Sequence, residues 1–161
     1  MELPTNFVYF DKNDANIFSK MIKEQGGEVC QNKMNQNYIN IQSKKFDFGF
    51  AHILPVAQIG QKTRSKTASN RLSSFILCNL FPSFDHLEIS LVCSKSNVKH
   101  GQILMDLVHQ KAIELNYKYL FLLSLSEEKL VNWYKKQGFV VLSEKFHDSG
   151  ELKAYAMLKN V

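Results

Sequence analysis

At 161 residues the chain is close to the length of a single domain, typically about 100–150 residues, and its 45% hydrophobic and 12% aromatic content can fill a core, which excludes disorder. No apolar run approaches the ~18 residues of a transmembrane helix, and the start Met-Glu-Leu-Pro lacks the basic and apolar stretches of a signal peptide. A cytoplasmic chain folding as one domain over residues 1–161 is therefore expected, with no membrane partner. The net charge of +5 would suit an anionic ligand or a nucleic acid, but Arg64 and Arg71 are the only arginines. Arginine reads bases and grips phosphate with two hydrogen bonds, so its scarcity argues against nucleic acid.

Residues 6–10 form a short apolar run that Asp11 ends. Asp11 or Asn13 can cap a following helix, in which Ala15, Phe18, Met21 and Ile22 fall at helical spacing. Gly26-Gly27 is expected to terminate it. Residues 31–40 are rich in Asn and Gln, and residues 38–42 and 46–54 read as hairpin strands joined near Ser43-Lys44-Lys45. Residues 61–71 (QKTRSKTASNR) are the densest basic segment and read as a solvated loop. Residues 72–81 and 86–93 give two more strands around Pro82-Ser83.

In the second half, Leu104, Leu107, Val108, Ala112 and Leu115 mark one face of a helix over residues 101–116. Residues 119–125 are almost continuously apolar and predict a central buried strand. Leu130, Trp133, Tyr134 and Gln137 share one face of a short helix that Gly138 ends. Strands at 139–145 and 152–159 flank a turn at 147–150. This order predicts an α+β or mixed α/β fold, a sheet flanked by helices.

Cys30, Cys78 and Cys93 are an odd set without a C-x-x-C pair, so neither a disulfide framework nor a zinc ribbon is indicated. His52, His86, His100, His109 and His147 contain no H-x-x-x-H pair, and no metal site is expected.

Chemistry concentrates after residue 86. A strand at 87–93 runs into a loop at 94–100 and then into a helix opening at Gly101. Such a turn aims unpaired backbone N–H groups and the positive end of a helix dipole at one spot, which suits phosphate or pyrophosphate. Lys99 adds a cation there, and Ser96 and Asn97 add short polar donors. Further on, Tyr134-Lys135-Lys136-Gln137-Gly138-Phe139 follows the 119–125 strand and precedes another.

These features together resemble the GCN5-related N-acetyltransferase (GNAT) superfamily. Its pattern is a strand ending V-x-P, an R/Q-x-x-G-x-G/A loop opening a helix, a strand, and a short helix reading Y-x-x-x-G-F. Gly101 matches the second loop glycine, while Lys99 replaces the first, Ser96 the Arg or Gln, and Cys93 the proline: a degenerate pyrophosphate-binding loop. The resemblance covers residues 87–159 well and the N-terminal half only in outline.

The resemblance implies a mixed, mostly antiparallel central sheet flanked by helices. It implies acetyl-CoA as co-substrate, held by Leu91, Val92 and Cys93 and by Ser96, Asn97, Val98, Lys99, His100, Gly101 and Gln102, without a metal. Acetyl transfer to a primary amine, of a small molecule or a protein, is the implied activity. A backbone N–H near Leu91 or Val92 would face the thioester oxygen, and the Tyr134 phenol would protonate the leaving thiolate. Glu88 is the candidate base, with His86 and Asp85 behind it. Glu127 stands where many members carry asparagine, and its carboxylate also suits a helix N-terminus. Residues 31–40 and 57–71 are candidates to line the acceptor side. A homodimer is left open. Two other readings stand beside the enzyme: a weakly active or inactive GNAT-fold module that binds CoA for regulation, and a basic nucleic-acid-binding protein.

Overall fold

Asp11 closes the first strand and starts the first helical turn in one step. A computed structural model describes residues 1–55 and 70–161, and in it β1 is Phe7–Asp11. Asp11 Oδ1 accepts a hydrogen bond from Asn13 N at 2.8 Å, and the Asp14 carboxylate accepts from Asp11 N. This reciprocal cap opens a 3-10 turn, Lys12–Asp14, that leads into α1, Ala15–Val29.

Helix α1 runs on through Gly26 and Gly27, which were expected to end it. The reason is packing against α2, Gln36–Lys44. A Cβ on Gly26 would lie 3.0 Å from Ile39 Cγ2, and one on Gly27 would lie 2.9 Å from Gln36 Oε1. The glycines thus let the two helices approach. Residues 38–42, expected as a strand, lie in α2: Asn35 caps it, accepting from Asn37 N at 2.7 Å. The buried residues Ile39, Gln42 and Ser43 recur at i, i+3 and i+4, a helical period that the local alternation had obscured.

The remaining elements follow the expected order: β2 Phe48–Pro55, β3 Asn70–Phe81, β4 His86–Ser94, α3 Gly101–Glu114, β5 Tyr119–Leu125, α4 Glu128–Lys136, β6 Val140–Phe146 and β7 Leu152–Asn160. The seven strands have the order β1-β2-β3-β4-β5-β7-β6. The β4–β5 pair is parallel; β1–β2, β5–β7 and β6–β7 are antiparallel. The sheet is mixed and mostly antiparallel, as the resemblance implies, and four α-helices accompany it among the described residues. The basic segment 61–71 and the acceptor candidate 57–71 lie outside the described residues as far as Ser69.

Packing divides the chain into two units, Met1–Leu77 with Leu91–Asp106, and Cys78–Ser90 with Leu107–Val161. In the first, Phe10, Ile22, Val29, Ile39, Phe46, Leu72, Phe75 and Leu91 build the core. Phe10 stacks on Phe18 at 4.1 Å and meets Phe46 edge-on at 5.2 Å. Cys30 and Cys93 lie in the same core and are joined as a disulfide. That corrects the expectation of no disulfide: the partners stand 63 residues apart, so no local spacing announces them.

In the second unit, Leu87, Ile89, Leu107, Val108, Leu120, Leu122, Val131, Phe139 and Met157 are buried. Strand β5 has neighbours on both sides, β4 and β7, yet Leu123 is 53% and Leu125 41% exposed. Its continuous apolar run therefore marks an interior strand with one open face at its C-terminal end. Among the described residues, no helix is long and apolar enough to cross a membrane.

Candidate functional site

In the first unit, β4 alternates inward and outward, so Leu91 and Cys93 are buried while Val92 and Ser94 are partly exposed. The Cys93 side chain is committed to Cys30, which leaves only its backbone for a ligand. Ser94 then closes the loop that follows. Its hydroxyl donates to Val98 O at 3.0 Å and accepts from His100 N at 3.3 Å. Val98 N bonds Lys95 O at 3.2 Å, and Leu104 N bonds His100 O at 2.9 Å, opening α3.

Among the described residues, the amides of Asn97, Lys99, Gly101 and Ile103 have no backbone hydrogen-bond partner. Together with the α3 dipole they form an N–H-rich turn suited to a phosphate anion. Ser96, Asn97 and Lys99 stand in this turn, and Gln102 lies in the first turn of α3, where its Nε2 reaches Asp106 Oδ1 at 2.9 Å.

The His100 ring turns back onto the sheet. Its Nδ1 lies 2.9 Å from Ser74 Oγ, its ring packs against Phe7 at 5.1 Å and against His52 at 4.3 Å, and His52 Nδ1 bonds Ser73 Oγ. Ser73 and Ser74 are buried. His100 thus pins the start of α3 to β1, β2 and β3. The partners Phe7, His52, Ser73 and Ser74 were not anticipated, since nothing local in the sequence ties residues on three separate strands to His100.

Burial lowers the pKa of both histidines, and the neighbouring His100 lowers that of His52 further. Both are neutral at pH 7. The unfolded chain takes up these protons near pH 6.5, the folded one only at lower pH, so stability is present above pH 6.5 and is lost as pH falls below it. The thermal midpoint should therefore drop between pH 7 and 5, and the doubly substituted His52→Asn, His100→Asn protein should show a shallower drop. An unchanged slope in that variant would refute the assignment.

In the second unit, Tyr134 lies on α4 and is 6% exposed. Its ring meets Trp133 at 5.2 Å and Phe139 at 5.9 Å. Burial pushes the phenol's pKa well above its ordinary value, so it holds its proton at neutral pH. Gly138 has φ +102°; Phe139 N bonds Tyr134 O at 3.1 Å and Gly138 N bonds Lys135 O at 3.0 Å. These are the two bonds of a Schellman helix end, with its usual apolar contact. The Y-x-x-x-G-F pattern accordingly has a folding role of its own.

Glu88 is half-buried on β4, opposite Phe121 in the register. Of the reserve candidates, His86 stacks between Phe84 and Phe121, and Asp85, at φ 55°, pairs with Lys118 at 3.8 Å. Glu127 is the N-cap residue of α4 and makes no side-chain cap. The parallel pairing of β4 and β5 runs from His86↔Tyr119 only to Ile89↔Leu122. Among the described residues, 123–125 pair only with β7, which leaves one backbone edge of β5 open there. Among the described residues no group of three or more His, Cys, Asp or Glu is placed to hold a metal ion.

No protein-family model and no curated protein sequence matches the chain. Solved structures do. The IAA acetyltransferase from Bacillus cereus ATCC 14579 superposes with TM-score 0.64 at 10% identity, covering 96% of this chain and 99% of that one. The aminoglycoside 6'-acetyltransferase type Ii gives TM-score 0.64 at 13% identity, over 96% of both chains. The ribosomal-protein-S18-alanine N-acetyltransferase from Escherichia coli gives 0.59 at 12% identity, over 96% of this chain and 94% of that one. Strand order, the N–H-rich turn before α3 and these superpositions agree that the chain has the fold of the GCN5-related N-acetyltransferases.

Proposed function

We propose that the protein is an N-acetyltransferase that moves an acetyl group from acetyl-CoA to a primary amine. The observation that supports this most is the turn before α3, whose amides at Asn97, Lys99, Gly101 and Ile103 have no backbone partner among the described residues, in a chain with this fold. Those amides and the Lys99 ammonium are assigned to the pyrophosphate. The open edge of β5 offers backbone groups for the pantetheine amides. Matching structures include an aminoglycoside 6'-N-acetyltransferase complexed with coenzyme A and an acetyltransferase from Bacillus anthracis str. Ames in complex with acetyl coenzyme A.

The co-substrate supplies an acetyl group already activated as a thioester. The chain's part is to hold and to move protons. A backbone N–H at Leu91 or Val92 is assigned to the carbonyl oxygen, where negative charge develops. Glu88 is assigned to take a proton from the acceptor ammonium. The Tyr134 phenol, protonated at neutral pH, is assigned to give one to the departing sulfur.

Replacing Gly101 by valine should weaken acetyl-CoA binding strongly, because a branched side chain blocks close backbone approach to the pyrophosphate. Lys99→Gly should bind as well as the natural chain or better, because the closer backbone approach that glycine allows offsets the lost ammonium. Calorimetric titration checks both. Abolition of binding by Lys99→Gly would make the lysine the principal phosphate ligand and overturn the assignment to backbone amides. Acetyl-CoA binding without turnover of any amine would favour the regulatory module.

A further inference from the structure

The Cys30–Cys93 bond meets the turn before α3 at its root. Cys93 is the penultimate residue of β4, and Cys30 caps the C-terminus of α1. Beside the bond, Gln31 Nε2 donates to Ser94 O at 2.7 Å, Lys95 Nζ pairs with Glu28 at 3.3 Å, and Lys95 N donates to Ser73 O at 3.0 Å. The end of α1 is therefore tied to the strand exit from which residues 95–100 depart, once covalently and twice by side chains.

Two features of the surroundings favour reduction without loss of the fold. Cys30 and Cys93 pack in a core with Val29, Ile39, Leu72, Phe75 and Leu91 among others, so apolar packing does not depend on the bond alone. The turn that follows Cys30 is at the surface: Gln31, Asn32 and Lys33 are exposed. Gln31 and Asn32 have φ of 57° and 56°, a left-handed conformation that asparagine tolerates but that is uncommon for glutamine. Opening that turn brings a reductant to the sulfurs.

We propose that Cys30 and Cys93 form a thiol–disulfide site that regulates the cofactor loop, the bond holding residues 95–100 ready for the pyrophosphate and its reduction loosening them. The effect on acetyl-CoA rests on the function proposed above; the effect on the loop does not. In reduction, one thiolate of a small dithiol attacks a cysteine sulfur and the Cys30–Cys93 bond breaks, leaving a mixed disulfide and one free cysteine. The second thiol of the reductant then displaces the other cysteine and closes the reductant into a ring. Two electrons and two protons have passed to the pair. Exchange with a small-molecule disulfide reverses it. Cys78, outside the disulfide and fully buried, takes no part.

The test uses the full chain, oxidised with glutathione disulfide or reduced with dithiothreitol. With three cysteines in the chain and Cys78 outside the disulfide, thiol titration under denaturing conditions should count one thiol in the oxidised form and three in the reduced. Amide hydrogen exchange over residues 95–104 should run about tenfold faster in the reduced form, with β1 and β2 unchanged. Acetyl-CoA should bind the reduced form at least about threefold more weakly. Cys30→Ser should behave like the reduced protein under both conditions.

Three thiols after oxidation, or equal loop exchange in both forms, would overturn the proposal. Exchange rising throughout the first unit would overturn it too, since the bond would then be a structural staple. Equal acetyl-CoA affinity in two forms that both bind would overturn the regulation. A loop that responds to reduction while neither form binds acetyl-CoA would uphold the clamp and remove the acetyl-CoA reading.

Discussion

Alanine in place of Gly49 is expected to cost about 3 kcal/mol or more of folding stability, near the upper end for adding one carbon to a packed core. Gly49 lies in β2, paired with Phe10 of β1. A Cβ there would stand 2.5 Å from the backbone oxygen of Ile76 and 2.6 Å from Phe10 Cζ. The phenyl ring has little freedom to move, because Phe10 is fully buried and stacked on Phe18. The carbonyl belongs to β3 and cannot shift without disturbing the strand. Gly49→Val should fail to fold. Urea unfolding of Gly49→Ala measures the effect, and a loss below about 1 kcal/mol would show that the sheet yields more readily than these distances allow.

Tyr134→Phe should reduce turnover at least about tenfold while acetyl-CoA affinity stays nearly constant, since general acids contribute about 100- to 10,000-fold and a thiolate is already a fair leaving group. The substitution removes one hydroxyl and keeps the ring that packs on Phe139 at 5.9 Å, so the helix end should be preserved. The raised pKa of the buried phenol keeps the proton available across the neutral range. The assay is CoA release with an amine found by scanning small amines, peptides and polyamines. If an amine turns over and Tyr134→Phe matches the natural chain, the tyrosine serves only the Schellman helix end.

Much of this fold was legible because its signals are local. The run at residues 119–125 marks β5 with the same bounds in sequence and structure, and the spacing of Leu104, Leu107, Val108 and Ala112 announces α3. Gly138 announces the end of α4, for the reason its φ of +102° supplies. Gly26-Gly27 misled because glycine serves two purposes, ending helices and admitting a neighbour, and only the position of Ile39 distinguishes them. Residues 38–42 misled because five residues with alternating Tyr and Ile fit a strand as well as a helix, until the Asn35 cap and the buried Ile39, Gln42 and Ser43 decide the period.

The site divides along the same line. The N–H-rich turn could be read from a strand, a short polar loop and Gly101, all within fifteen residues of one another. What anchors it could not. Phe7, His52, Ser73 and Ser74 come from three strands, and Cys30 comes from the end of α1, so neither the His100 cluster nor the disulfide leaves a local trace.

Thermal unfolding with and without acetyl-CoA tests the central claim most directly. At about 100 times its dissociation constant a ligand adds about 2.7 kcal/mol, a rise in midpoint of roughly 5–10 °C for a chain of this size. Acetyl-CoA should produce that rise, and ATP, which lacks the pantetheine that the open edge of β5 is proposed to receive, should produce far less. Equal shifts from ATP and acetyl-CoA would mean a plain phosphate site, and no shift from either would contradict the account.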